Sequence, residues 1–171
     1  MHLDDFNHAD PADASAIATV WAAIPSWVGA IVAARPYGTV DDIARFAERA
    51  AQEWNASHLD AALAHHPRIG QRPTGQGAEA AASRREQAAM AGAPAELAVE
   101  MAQANAEYEG RFGRVFLIRA AGRSPEEMLA EARRRLANDK DSEALEALEQ
   151  LRQIALLRLR QSLTVAASPE S

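Results

Sequence analysis

The chain has no cysteine. That excludes disulfides, thiolate nucleophiles and cysteine-ligated metals. Aromatic residues make up only 5%, while alanine dominates an apolar share of 48%. That mixture favours closely packed helices over a sheet. No apolar run approaches the ~18 residues that a membrane span needs. There is no long basic run and the net charge is −6, so neither a membrane nor a nucleic acid is the expected partner. Met1-His2-Leu3-Asp4-Asp5 lacks the basic and apolar regions of a signal peptide, and the expectation is a cytoplasmic protein. Lysine is nearly missing too: 17 of the 18 basic residues are arginine, whose planar fork matches carboxylates. A length of 171 residues fits one domain with a real core.

Hydrophobic spacing and punctuation predict a series of helices. One runs from Asp10-Pro11 to Trp21, and a second from Pro25 to Ala33. A third, capped by Thr39, repeats Ile43, Phe46, Ala47 and Ala50 on one face. Asn55 to Ala64 forms the next and stops at His65-His66-Pro67-Arg68-Ile69-Gly70. After the Pro/Gly-rich stretch 71–77, Ala78 to Ala91 reads as helical. Pro94 opens a helix to about Glu109. Residues 110–122 carry glycines at 110, 113 and 122 around a β-like run with no partner strand, and are expected to be extended or looped. Ser124-Pro125 starts a helix ending near Asn138-Asp139. A final helix spans about Ser142 to Val165, followed by a frayed tail at 166–171. The expected fold is all-α: one domain over residues 1–171, of about eight helices.

Several residues stand out from that frame. His66 precedes a proline, so its backbone is biased out of the helical region. Its imidazole holds or gives up a proton near neutrality. The alternative is a plain helix end, since a cation there suits the dipole. The histidines do not make a metal motif: His65 and His66 are adjacent, and His58 and His65 lack the i, i+4 spacing. Ser83, Glu86 and Gln87 share a helix face and offer a hydroxyl, a carboxylate and an amide; a capping box is the alternative. Arg158 falls inside the apolar stripe Leu148, Leu151, Ile154, Ala155 and Leu159, where a guanidinium needs a carboxylate, a ligand anion or a route to water. Arg160 falls nearly opposite. Asn105, Tyr108, Phe112 and Phe116 lead into the irregular segment, whose free backbone groups suit a planar heterocycle; an aromatic core plug is the alternative, Phe112 and Phe116 included.

Four motifs occur in order: His-Pro-Arg-Ile-Gly at 66–70, Ser-x-x-Glu-Gln at 83–87, Asn-x-x-Tyr to Phe-Leu-Ile at 105–118, and Leu-Arg-Leu at 157–159. Together they resemble the 2-oxo-4-hydroxy-4-carboxy-5-ureidoimidazoline (OHCU) decarboxylase family over residues 4 to 163. The resemblance implies an all-α fold and a catalytic His66 with Glu86 and Arg158. It implies substrate contacts from Pro67, from Ser83, Arg84, Arg85, Glu86 and Gln87, and from Ile118, Arg119, Ala120, Ala121 and Gly122. It implies OHCU as substrate, (S)-allantoin as product, no cofactor, no metal and a homodimer. One departure is Arg114, where many members read Phe-Gly-Phe. The competing readings are a decarboxylase or lyase acting on a related ureido or hydantoin acid, and a non-enzymatic helical binding module.

Overall fold

A computed structural model describes residues 1–64, 68–69, 88–90 and 92–164, the side chain of residue 89 excepted. Among them are eight α-helices and no β-sheet. In chain order these are α1 (Leu3–His8), α2 (Pro11–Trp21), α3 (Pro25–Ala33), α4 (Val40–Ala50), α5 (Ala56–Leu63), α6 (Ala95–Phe112), α7 (Pro125–Arg135) and α8 (Lys140–Ser162). The predicted all-α class is the observed one. The expected helix over residues 78–91 lies mostly outside the described residues, and its end, Ala88–Met90, is a short 3₁₀ turn.

Local chemistry accounts for most boundaries. Thr39 Oγ1 accepts from the Asp42 amide at 3.0 Å and caps α4. Asn55 caps α5 by accepting from the amides of Ser57 and His58. Ser124 and Glu127 form a reciprocal capping box at α7, with Pro125 at the first turn, which satisfies two otherwise orphaned donors. Asp10 occupies the cap of α2 but makes no side-chain cap bond; Pro11 alone marks that start.

Two differences from the expected pattern stand out. α1 was not legible: it is only six residues long. It is held from outside, by a parallel bridge between His2 and Thr164 and by burial of Leu3 and Phe6. The other is the end of α6. Gly110 does not stop it; the helix runs on to Phe112 and ends at Gly113, whose φ of 71° is left-handed. A glycine within a helix only weakens it, whereas a glycine that can turn left-handed terminates it.

The helices group into two compact units. The first comprises Met1–Trp54 and the described residues from Arg152 onward. Its ring contacts are Phe6 on Trp21 at 5.3 Å and Trp27 on Trp54 at 5.4 Å. Arg35 lies over the Phe6 ring and donates to the carbonyls of Phe6 and Ala9. Tyr37 is buried, and its hydroxyl donates to the Ile31 carbonyl at 2.8 Å.

The second unit comprises the described residues of Asn55–Leu151. Its core joins Ile69 and Met90 to Met101, Ala104 and Tyr108 of α6, to Phe116, Ile118 and Ala120, and to Met128, Leu129 and Ala132 of α7. Within it Arg135 and Glu143 form an ion pair, 1% and 0% exposed. Arg135 Nε donates to Glu143 at 2.9 Å and Nη1 to the Leu117 carbonyl at 2.8 Å. The Tyr108 hydroxyl also donates to Glu143, and Asn138 Nδ2 does so at 3.0 Å.

Replacing Arg135 with methionine keeps volume but leaves Glu143 charged and unpaired in the core. The expected loss is about 3–5 kcal/mol of unfolding free energy, read by urea denaturation. The tyrosines give a second check. The chain has two, and burial raises both phenol pKa values: Tyr37 to about 12, opposed by the Arg35 charge, and Tyr108 further, helped by its bond to Glu143. A raised pKa means stability present below the unfolded value near 10 and lost as pH climbs through the folded one. An alkaline absorbance titration should therefore show no tyrosinate at pH ~10 until the chain unfolds.

Candidate active site

His66 and Pro67 lie outside the described residues, as do Ser83, Arg84, Arg85, Glu86 and Gln87. Arg158 and the segment Ile118–Gly122 lie within them, Arg158 in the first unit and the segment in the second.

In the first unit Arg158 is 5% exposed, as its place in the α8 stripe predicts. Leu148, Leu151, Ile154, Ala155 and Leu159 are all buried. Arg158 Nη1 donates to the Val20 carbonyl at 2.9 Å. A guanidinium has five donors in a fixed fork. Arg160 is exposed and pairs with Asp41.

In the second unit residues 113–120 form no helix or strand, matching the expected irregular segment. Ile118 and Ala120 are buried, Arg119 is partly buried, and Ala121 and Gly122 are exposed. The Arg119 amide donates to Gln150 Oε1 at 2.9 Å. The turn closes through the Arg123 amide, which donates to the Ala120 carbonyl at 3.0 Å. Gly122, with φ 79°, supplies the left-handed residue that side chains resist. Phe112 and Phe116 both pack on Tyr108, at 4.8 and 5.2 Å; Phe116 is core and Phe112 lies partly buried against it.

The chain just past Pro67 is tied to α6. Arg68 presents its fork to both carboxylate oxygens of Glu109, with Nη2 at 2.8 Å from Oε2. That carboxylate holds the guanidinium charge more firmly. The next residue, Ile69, offers its carbonyl to Asn105 Nδ2 at 2.9 Å. Asn105 is 4% exposed, and its Oδ1 has no hydrogen-bond partner among the described residues. Arg68, Ile69, Asn105 and Glu109 line a cavity of about 330 Å³ whose other walls are Met90, Ala98, Ala102 and Ala106. A second cavity, of about 460 Å³, shares Glu109 and adds Asp60, Leu63, Ala64, Phe112, Gly113, Arg114 and Val115. There Arg114 Nε donates to Asp60 at 2.9 Å.

These walls present a charged fork, a buried amide oxygen and apolar faces. No group of three His, Cys, Asp or Glu side chains among the described residues is arranged to hold a metal. Sequence reasoning missed Asp60, Glu109 and the use made of Asn105. The available signal was Asn105 itself, an amide on the buried face of α6 beside Met101, Ala104 and Tyr108, which requires a partner.

A family model described as OHCU decarboxylase matches residues 7–160. No curated protein matches the chain in sequence. Among solved structures, a crystal structure of an OHCU decarboxylase in the presence of (S)-allantoin is similar with a TM-score of 0.72 at 24% identity, covering 84% of this chain and 94% of that one. A crystal structure of (S)-allantoin synthase is similar with a TM-score of 0.68 at 15% identity. That alignment covers 95% of this chain, which spans 54% of the synthase. At these identities the two structures establish a shared fold.

The departure at Arg114 has a structural consequence that is open to measurement. Its ion pair with Asp60 is partly solvated, Asp60 being 55% exposed, so replacing it with phenylalanine should cost no more than about 1 kcal/mol. The difference from wild type in urea unfolding should shrink as salt is added. A loss of several kcal/mol, insensitive to salt, would contradict this reading of the pair.

Proposed function

The chain belongs to the OHCU decarboxylase family, a family of carboxy-lyases, and on that premise we propose that it converts OHCU to (S)-allantoin without a cofactor. The observation that carries the proposal is the family match over residues 7–160, within which the His-Pro-Arg-Ile-Gly, Ser-x-x-Glu-Gln and Leu-Arg-Leu motifs stand in the family's order. A cytoplasmic homodimer belongs to the same reading and rests on the resemblance. No helix among the described residues is long and apolar enough to cross a membrane.

The chemistry fits a protein that supplies only acid–base and binding groups. OHCU carries a carboxylate and a hydroxyl on one ring carbon, beside a C=N group. When the bond to the carboxylate breaks, its electron pair passes into the adjacent imine and carbonyl system, and CO₂ leaves. One proton must then be returned to carbon. The protein's task is to orient the carboxylate, stabilise the developing charge and deliver that proton to one face.

In this proposal Arg158 clamps an anionic or carbonyl oxygen, supported by its burial and its many donors. Glu86 holds the hydroxyl or a ring N–H, beside Ser83 and Gln87 of the binding stretch 83–87. The backbone of Ile118–Gly122, apart from the Arg119 amide and the Ala120 carbonyl that are bonded within the protein, offers its N–H and C=O groups to the edge of the ring. Pro67 lies against the substrate, and His66 handles the proton; delivery from one side gives the (S) product.

The experiment is His66→Ala, with allantoin followed by circular dichroism from freshly generated substrate. The expected result is a fall in rate of about 10²–10⁴-fold and loss of the (S) preference, because unassisted protonation has no favoured face. Formation of (S)-allantoin by the variant at the wild-type rate would overturn the assignment. Turnover of a hydantoin acid in preference to OHCU would move the substrate and leave the site in place.

A further inference from the structure

We propose that Asn105 and Glu109 are positioning residues for this reaction. One helical turn apart on α6, they hold Ile69 and Arg68, the two residues that follow Pro67, and through them fix where His66 delivers its proton. The proposal rests on the assignment of proton transfer to His66.

Three observations carry it. The first is register. Asn105 and Glu109 are i and i+4, so they project from the same face of α6. They meet consecutive residues of the facing chain: Asn105 Nδ2 on the Ile69 carbonyl at 2.9 Å, Glu109 on the guanidinium of Arg68. Two contacts on adjacent residues fix a segment's direction as well as its place. Arg68 and Ile69 follow His66 by two and three residues in the sequence, so an anchor there limits the reach of the chain that carries it.

The second is the kind of contact. The Glu109 pair engages both oxygens and is partly solvated, Arg68 being 46% exposed. Such a pair adds little to stability, but a bidentate fork is directionally strict. The third is the cost of Asn105. It sits almost wholly buried beside Met101, Ala104 and Tyr108, with Oδ1 lacking a hydrogen-bond partner among the described residues. A leucine there would pack at least as well but would leave the Ile69 carbonyl without its donor. What the amide supplies that leucine cannot is the donor to Ile69.

The test uses the full chain and freshly generated OHCU. Asn105→Leu removes the donor at nearly constant volume, and Glu109→Arg reverses one charge of the fork. Each should lower kcat by about tenfold or more, leave KM little changed and erode the (S) excess, while helical circular dichroism at the assay temperature stays near wild type; the thermal midpoint should hold in Glu109→Arg and fall by several degrees at most in Asn105→Leu, whose Ile69 carbonyl loses its donor. The charge swap, Arg68→Glu with Glu109→Arg, should recover most of kcat and of the stereochemical excess. A merely structural pair would move none of these at constant fold.

Unchanged kcat and unchanged (S) excess in both single variants, alongside an inactive His66→Ala, would overturn the positioning role and leave the function standing. So would a fall in kcat matched by an equal fall in folded protein, with no recovery in the swap. An active, (S)-selective His66→Ala would remove the proposal together with the assignment beneath it.

Discussion

A carboxylate withdrawn from water stays charged at tolerable cost only when every lone pair finds a donor. Glu143 is fully buried and meets that condition with three side chains. Arg135 of α7 supplies the opposite charge, Tyr108 of α6 a hydroxyl, and Asn138 an amide. Glu143 itself stands on α8, so one side chain draws together three helices of the second unit. The arginine does more than neutralise. Its Nη1 reaches the Leu117 carbonyl, and its plane lies over the rings of Phe116 and Tyr108 at 4.7 and 5.8 Å. The irregular segment before Ile118 is thereby pinned at a backbone atom and at a side chain. A buried pair of this kind often adds less stability than apolar residues of the same volume. Here its geometry also fixes one path for a stretch of chain that has no secondary structure to hold it.

Why the pair was illegible in the sequence is instructive. Arg135 closes the run Arg133-Arg134-Arg135, and its neighbours behave as such runs usually do: Arg133 pairs with Glu100, and Arg134 with Glu131 and Glu146, all near the surface. Only register separates Arg135 from them. It lies seven residues after Met128 and three after Ala132, both fully buried, and so shares their face. Arg158 obeys the same rule on α8 and was readable because its stripe is longer and richer in leucine. Helix starts were readable for a different reason: a cap is local, and Thr39, Asn55 and Ser124 each bond to an amide within three residues. The ties of Arg68 to Glu109 and of Ile69 to Asn105 span about forty residues of chain, and nothing in local pattern encodes a partner at that distance. Of the candidate site, composition and spacing gave the irregular path of 113–120 and the burial of Arg158. The chemistry of His66 and of 83–87 came from motif order.

The polar contacts of the second unit divide by environment. Those around Glu143 are dry, and removing one partner strands a charge. Those around Glu109 are wet at one edge, and removing one leaves the other to water at little cost. Stability is therefore concentrated in the first set, which leaves the second free to serve geometry. That division has a physical rationale. A site must hold its groups to within a fraction of an ångström, yet the residues that do so line cavities and cannot all be sunk in the core.

The length of α6 completes this argument. Had the helix ended at Gly110, Glu109 would stand on its last, fraying residue, and its carboxylate would be as loose as the end that carried it. Instead the helix runs on to Phe112, and the Gly113 amide closes back on the Glu109 carbonyl at 2.9 Å. Glu109 is thus a full turn inside a rigid element, with Asn105 a turn further in. Gly113 then takes the left-handed conformation that turns the chain out of the helix, and Arg114, the next residue, meets Asp60 of α5. The three residues by which α6 exceeds its expected end therefore make Asn105 and Glu109 a fixed pair of anchors. They also send the chain toward Phe116, where the buried pair takes hold of it.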